Sequence, residues 1–552
     1  MSAATRRLPP AWALAALLAI VYLILAPQSP DLAAASYRSH LFAREGFSLW
    51  DNSWYGGHHL LAYSLLAPAL GWLIGPALLA ALSMVAATAL FSLAAAAPTA
   101  GVSPDASRAA SFWFALGASV ALLSSRVPFD LGLALALGAL VLAQREHRFA
   151  ALALALLASL ASPVAGAFLA MAMLAWAIAG SGMRATRVST AAAEGASPGP
   201  ARPGARTLPL AICVVALVPI AFLSLAFPEG GSQPFVGSAF WPALAGVVAV
   251  GLAIPSERRV LRVGFALYAL VLVGSFAIPS AVGGNADRLG ALAAGPVAAL
   301  ALLGAPQRWR RRALLVLVLP LTYWQANAPV TDFVSTVGNP ATSASYYSPL
   351  LAELARLDIG YGRRPARIEV VPTVDHWEAR YVAPAAMIAR GWERQLDRYR
   401  NLLFYESGAL AAARYRGWLL SQSISYVALP DASLDYSAKA EAKLLGSTQP
   451  FLREVWRSPH WRLFAVLGAE PLSDPGTLTA VGTQSFTLYA PSPGSYVVRL
   501  HFTPFWSLAR GAGCVARTAG DWTELQARAA GLLHVVIDFS PARIFSRGPR
   551  CR

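Results

Sequence analysis

The first carboxylate of the chain is Asp31, and within the next thirty residues Asp51, His58 and His59 follow, interleaved with Trp50, Trp54 and Tyr55. These are residue types that do chemistry on hydroxyls and sugars. A carboxylate beside an acceptor hydroxyl takes its proton as general base, and a carboxylate with two imidazoles would admit a divalent cation or orient an acceptor. Tryptophan and tyrosine faces stack on sugar rings. Each residue also has a plainer reading. Asp31 follows Pro30 and suits the cap of a helix beginning near Leu32. His58 and His59 are adjacent and lack the i, i+4 spacing of a helical metal site, and aromatic residues at a membrane boundary commonly serve as anchors.

Two further short segments carry cations. Arg126 and Asp130 lie in SSRVPFDLG, and Asp287 and Arg288 in GGNADRLG. A guanidinium donates two parallel hydrogen bonds to a phosphate, so Arg288 and Arg126 are the candidate phosphate ligands; otherwise Arg288 pairs with Asp287 or snorkels at the boundary. Farther on, VPTVDHWEARYVAP places His376 and Glu378 beside Asp375 and Arg380, a candidate acceptor pocket with Trp54 and Tyr55, or a solvated turn with an ion pair. The run GWERQLDRYR reads as an exposed helical face.

The elements that must position these residues are mostly membrane helices. The chain is 56% hydrophobic and 13% charged, well below the roughly 25% charge of soluble chains. Apolar stretches long enough to span run at about 10–27, 76–97, 110–124, 129–144, 148–162, 164–180, 208–227, 238–254, 262–279, 288–304 and 313–328. That is about 11 spans. Another stretch, 60–75, is interrupted by Pro68 and Gly71. The formal charge of +16 is almost all arginine, which with the abundance of alanine gives an actinobacteria-like, GC-rich composition. Arginines gather in alternate loops, at 145–148, 184–206, 258–262 and 308–312, and Arg6 and Arg7 precede the first span. The positive-inside rule makes those loops and the N-terminus cytoplasmic. The parity holds only if 60–97 crosses once, so 60–75 is expected to be re-entrant or interfacial. The charge encodes topology, and no nucleic-acid partner is implied.

The expected organisation is a membrane domain over 1–328, with a first outer loop at 28–59 and a flexible Pro/Gly/Ala-rich cytoplasmic linker at 181–207. Strands at 367–371, 426–429 and 461–466, with helices at 383–399 and 406–421, predict an extracytoplasmic α/β unit over 329–470. Alternating segments near 484–489, 496–502 and 533–539 predict a β-sandwich over 471–552, in which Trp506 either binds a glycan or fills the core. Cys514 and Cys551 either pair, as an oxidising compartment permits, or stay free.

The layout of an acid just after the first span, a large first outer loop, many spans and an outer C-terminal domain resembles the GT-C superfamily of integral membrane glycosyltransferases. The run GFSLWDNSWYGGHHLLAYSLLAP is similar to bacterial YfhO-like and 6-pyruvoyl-tetrahydropterin-synthase-related membrane proteins. The resemblance implies a polytopic α-helical, GT-C-like protein of the plasma membrane. It implies a polyprenyl-phosphate-linked sugar as donor and a cell-envelope glycan, lipid or protein as acceptor. Asp31 would be the catalytic base, Arg288 and Arg126 would hold the donor phosphate, and Asp51, His58 and His59 would form an acceptor or metal site. The alternative is a transporter or flippase with an accessory outer domain. Its usual signs are paired broken helices in two repeats and ionisable groups within spans; no second copy of 28–75 is evident and the spans are almost free of charge. No P-loop, dinucleotide fingerprint, H-E-x-x-H or G-x-S-x-G elbow occurs.

Overall fold

A computed structural model describes residues 9–97, 101–180, 206–362, 365–545 and 551. Arg6, Arg7 and all but the last two residues of the expected linker at 181–207 lie outside the described residues. Two compact units emerge. One comprises residues 1–35, 63–223 and 232–334, and the other residues 36–62, 224–231 and 335–552.

The first unit is helical. Helices α1 (Ala11–Leu25) and α2 (Pro30–Glu45) are followed by α3 (Ala67–Ile74), α4 (Pro76–Ala95), α5 (Pro104–Ala121), α6 (Val127–Gln144), α7 (Arg148–Ala161) and α8 (Pro163–Ala179). Then come α9 (Thr207–Ala226), α10 (Gly237–Ala253), α11 (Arg259–Ala277), α12 (Asp287–Leu302) and α13 (Arg308–Thr336). Each expected apolar stretch falls on a helix, while 60–75 forms only the short α3. Among the described residues, six helices are long and apolar enough to cross a membrane, or seven counting α1 and α2 together across their 80° bend. Three others, α7, α8 and α10, are apolar but shorter.

Alanine and glycine let these helices approach closely. Gly166 on α8 faces Ser159 on α7, and the Ser159 hydroxyl donates to the Ala216 carbonyl of α9 at 2.7 Å. Gln325 on α13 accepts from Trp113 of α5 at 3.0 Å and donates to the Leu292 carbonyl of α12 at 3.1 Å, joining three helices by one amide.

The second unit is β-rich. A five-stranded sheet runs in the order β4 (Met387–Ile388), β3 (Arg367–Val370), β5 (Ile424–Pro430), β7 (Trp461–Val466), β6 (Leu452–Arg457). The first three strands are parallel and the last two antiparallel. Helix α14 (Ala344–Arg356) precedes the sheet, and its connections carry α15 (Glu378–Tyr381), α16 (Arg394–Arg400), α17 (Ala412–Ser421) and α18 (Lys439–Leu445). The helix expected over 383–399 is replaced in its first half by β4, because the Ala389 amide donates to the Ile368 carbonyl and Ile388 pairs with β3. The helix expected from 406 begins only at Ala412.

Two four-stranded antiparallel sheets form the sandwich: β12 (Trp506–Arg510), β15 (Gly531–Ile537), β10 (Ser485–Ala490), β9 (Thr477–Gly482); and β13 (Gly513–Arg517), β14 (Trp522–Ala527), β11 (Gly494–His501), β8 (Ser473–Asp474). Alternation places Phe486, Leu488, Val498, Leu500, Leu525 and Val535 in one buried core. Trp506 belongs to that core, with no exposed surface for a glycan. Cys514 and Cys551 are joined as a disulfide.

The segment from 36 to 62 folds with this unit. Its two-residue strands β1 (Trp50–Asp51) and β2 (His58–His59) pair antiparallel around a turn in which Gly56 and Gly57 have φ of +72° and +115°. A Cβ on Gly57 would collide with the Trp50 indole. Gly57→Ala is therefore expected to combine left-handed strain with overpacking and to cost about 2–4 kcal/mol, read as a lowered thermal midpoint of the detergent-solubilised protein.

Candidate active site

The site begins where α1 stops. Ala26 adopts a left-handed conformation (φ 45°) and α2 starts at Pro30. The cap of α2 is Ser29, and the expectation that Asp31 caps this helix is corrected. The Ser29 hydroxyl accepts from the Leu32 amide at 3.3 Å and donates to the Ser124 carbonyl at 2.7 Å. Proline at the first helical position needs no amide partner. The Asp31 carboxylate, in the first turn, is left to bind elsewhere.

It faces Arg126. Arg126 Nε lies 3.5 Å from Asp31 Oδ2, and Nη2 lies 3.8 Å from Asp332 Oδ2 near the end of α13. The turn that presents Arg126 is pinned on both sides. Ser125 is left-handed (φ 51°) with its hydroxyl 2.8 Å from the Tyr22 hydroxyl of α1, and the Ser124 hydroxyl donates to Asp332. Asp130, one turn into α6, is buried, and its Oδ2 accepts no hydrogen bond among the described residues.

Arg288 enters from the start of α12, its guanidinium 5.7 Å from the centre of the Phe129 ring. Among the described residues no carboxylate lies within ion-pair distance of it. Its neighbour Asp287 instead accepts from the Trp324 indole at 2.9 Å, so the alternative pairing of Arg288 with Asp287 is not made. Both guanidiniums act electrostatically on Asp31 and Asp130. Asp31, Arg126 and Arg288 are thus brought together from three separate segments. Arg126 is shared between two carboxylates, whereas Arg288 has none at ion-pair distance among the described residues. Sequence reasoning missed Asp332, whose only signal is a carboxylate shortly after the last apolar stretch ends at 328.

The other candidates fall in the second unit and are not gathered into one cluster. Asp51 accepts from the Tyr37 hydroxyl at 2.7 Å and the Ser53 amide at 2.9 Å. His58 is fully buried, stacked on Trp54 at 5.3 Å. His59 Nδ1 lies 2.8 Å from Glu229 Oε1 and its Nε2 3.1 Å from the Thr503 hydroxyl. Asp51 and His58 are cross-strand neighbours, yet each turns to its own partners, and among the described residues no group of three His, Cys, Asp or Glu could hold a metal. Trp54 and Tyr55 are core residues rather than a sugar platform. Trp54 stacks on Tyr37 at 4.6 Å and Tyr55 donates to the Glu393 carbonyl at 3.0 Å, leaving neither ring a free face.

His376 and Glu378 likewise line no open pocket. His376 Nδ1 is 3.2 Å from Glu378 Oε1 and Nε2 is 3.5 Å from Asp435 Oδ2, which Arg394 binds at 2.6 Å; Thr373 closes the other side of Glu378. The run read as an exposed helical face is also buried where it counts: Glu393 pairs with Arg38 and Asp397 with Arg390. Burial holds the Glu393 carboxyl up at about 7, against the opposing charge of Arg38.

No protein-family model matches the chain, and no curated protein does. Among solved structures it is similar to the arabinofuranosyltransferase AftD from Mycobacteria, at 18% identity and a TM-score of 0.45 over 88% of this chain and 41% of that one. It is also similar to the archaeal oligosaccharyltransferase AglB from Archaeoglobus fulgidus, solved with an inhibitory peptide and a dolichol-phosphate, at 14% identity and a TM-score of 0.42 over 76% of this chain and 69% of that one. The chain spans less than half the length of AftD. With both TM-scores below 0.5, the functional reading rests on the chain's own residues.

The His376 network makes a pH-dependent contribution whose sign follows from its partners. Burial alone would lower the imidazole, but Asp435 and Glu378 outweigh it and raise its pKa to about 9. With the folded value above the unfolded one, the stabilisation is complete below about pH 6.5 and lost as pH rises through about 9, up to about 3 kcal/mol. The gap in thermal midpoint between the native protein and His376→Gln should therefore narrow across that window; a gap independent of pH would show that the imidazole is not charged.

Proposed function

We propose that the chain is an integral membrane glycosyltransferase that moves a sugar from a polyprenyl-phosphate donor to a cell-envelope acceptor on the outer face of the plasma membrane. The observation that carries this reading is the meeting of Asp31, Arg126 and Arg288 at helix starts, with Arg288 lacking a carboxylate partner among the described residues. Asp31 removes the proton of the acceptor hydroxyl as the acceptor oxygen bonds to the anomeric carbon. The bond from that carbon to the donor phosphate breaks, and the leaving phosphate gathers negative charge opposite Arg288. Arg126, tethered by Asp332, keeps the Asp31 carboxylate oriented and gives way to a donor phosphate less readily than Arg288 does.

The orientation belongs to the same proposal: an N-terminus inside and the C-terminal unit outside. The Cys514–Cys551 disulfide supports it, since such bonds persist in oxidising compartments. The kinship with YfhO-like proteins rests on the run from Gly46 to Pro68 alone.

The test is sugar transfer by purified protein from a panel of radiolabelled polyprenyl-phosphate sugars onto envelope extract. Asp31→Asn should lower turnover by about 10²–10⁴, and Arg288→Ala should reduce transfer by about 10²–10³, with both variants retaining the native thermal midpoint. No transfer from any donor, together with lipid or solute movement in proteoliposomes, would sink the proposal in favour of a transporter.

A further inference from the structure

We propose that the second unit carries a separate site for an anionic group of a saccharide, a carboxylate or a phosphate, at Arg499 and Trp522 on the sandwich sheet β13-β14-β11-β8. That the anion belongs to a saccharide rests on the transfer reading; the anion site itself rests on the residues around it. Three arginines converge here with too little negative charge around them. Arg367, the first residue of β3, is fully buried; its Nη1 donates to the Gln422 carbonyl at 2.6 Å and its Nη2 to the Arg499 carbonyl at 2.5 Å, and its Nε has no partner. Arg400, at the end of α16, donates to the Tyr55 and Gly57 carbonyls at 3.0 and 2.8 Å. Among the described residues neither has a carboxylate within ion-pair distance. Carbonyl dipoles satisfy both Nη donors of Arg367 but leave its buried formal charge without a contacting counter-charge, whereas the half-buried Arg400 feels Glu229 and Asp521.

The Trp522 ring ties these charges to the surface. The guanidiniums of Arg367 and Arg499 each lie 5.8 Å from its centre, and His501 stacks on it at 4.3 Å. His501 adds no further positive charge: burial and the nearby Arg400 and Arg367 hold its imidazole down at about 3, so it is neutral. Among the described residues the rim carboxylates are Glu470, 3.5 Å from Arg499 and half exposed, and Asp521, bound by Arg517 at 2.8 Å and 3.3 Å from His501 Nδ1. Arg499 is 29% exposed and is where the field of the buried Arg367, reinforced by the half-buried Arg400, reaches solvent. An anion there displaces the weak Glu470 contact and feels three positive charges, while a neutral sugar gains nothing comparable.

The full-length protein in neutral detergent should be titrated by isothermal calorimetry with inorganic phosphate, glucuronate and glucose at matched ionic strength. Phosphate or glucuronate should bind and glucose should not; which anion binds more tightly distinguishes a phosphate-bearing from a carboxylate-bearing ligand. Arg499→Gln keeps the backbone carbonyl that Arg367 uses and should weaken anion binding on the order of tenfold. Arg499→Lys retains the charge without the fork and should fall between, which preserves the test if the glutamine variant does not fold. Binding of neither anion, equal binding of glucose, or affinity unchanged in both variants would overturn the site.

Discussion

Three carbonyls in one turn organise the second unit. The chain at Tyr55–Gly57 presents consecutive carbonyl oxygens, of which the first and third accept from Arg400 and the second from the His501 amide. That arrangement requires positive φ at both glycines, and positive φ with no side chain allows the Trp50 indole and the Arg367 guanidinium to press against the turn. Residues supplied by β3, α16 and β11 therefore all depend on a segment from early in the chain. Without it, Arg400 would lose two carbonyl acceptors and the buried Arg367 the backbone that packs against it.

The charged groups of the molecule divide by how completely they are partnered. Arg390 with Asp397, and Arg394 with Asp435, close on themselves through two or more hydrogen bonds each, as buried ion pairs must. The Asp31 cluster does not close. Among the described residues, Arg126 sits at 3.5 and 3.8 Å from two carboxylates, Asp130 keeps an unpaired oxygen, and Arg288 lies over an aromatic ring with no carboxylate at ion-pair distance. Loose pairing of this kind is poorly suited to stability, because each desolvated charge is under-compensated. It is well suited to receiving a ligand that brings a hydroxyl and a phosphate.

Much of the fold was legible because apolar runs report helices and alternation reports strands. The eleven apolar stretches and the strands near 367, 426, 461, 485, 496 and 533 all lie on elements of those types. Asp31, Arg126 and Arg288 stand out in the sequence as charges at the edges of apolar runs, and the fold sets Arg126 3.5 Å from Asp31. The aromatic loop misled. Trp54, Tyr55 and His58 have the composition of a sugar or metal site, and single-sequence periodicity cannot show that a segment of unusual composition pairs with strands three hundred residues away. Glu393 and Asp397 misled similarly, since a run of mixed charge reads as solvated unless Arg38 and Arg390 are known to face it.

The cap of α2 shows how a single local choice decides what a catalytic candidate can do. In the sequence Ser29-Pro30-Asp31, either side-chain oxygen could satisfy the first amides of the helix. Had Asp31 done so, its carboxylate would be spent on backbone donors and a poor proton acceptor. Ser29 takes that role and is itself held by the Ser124 carbonyl, so the same turn that presents Arg126 also fixes the residue that releases Asp31 to meet it. Pairing and release are one arrangement: moving the Ser124–Arg126 turn would disturb both the cap and the ion pair, which ties the position of the carboxylate to that of its cation without any contact between Asp31 and the backbone of that turn being needed.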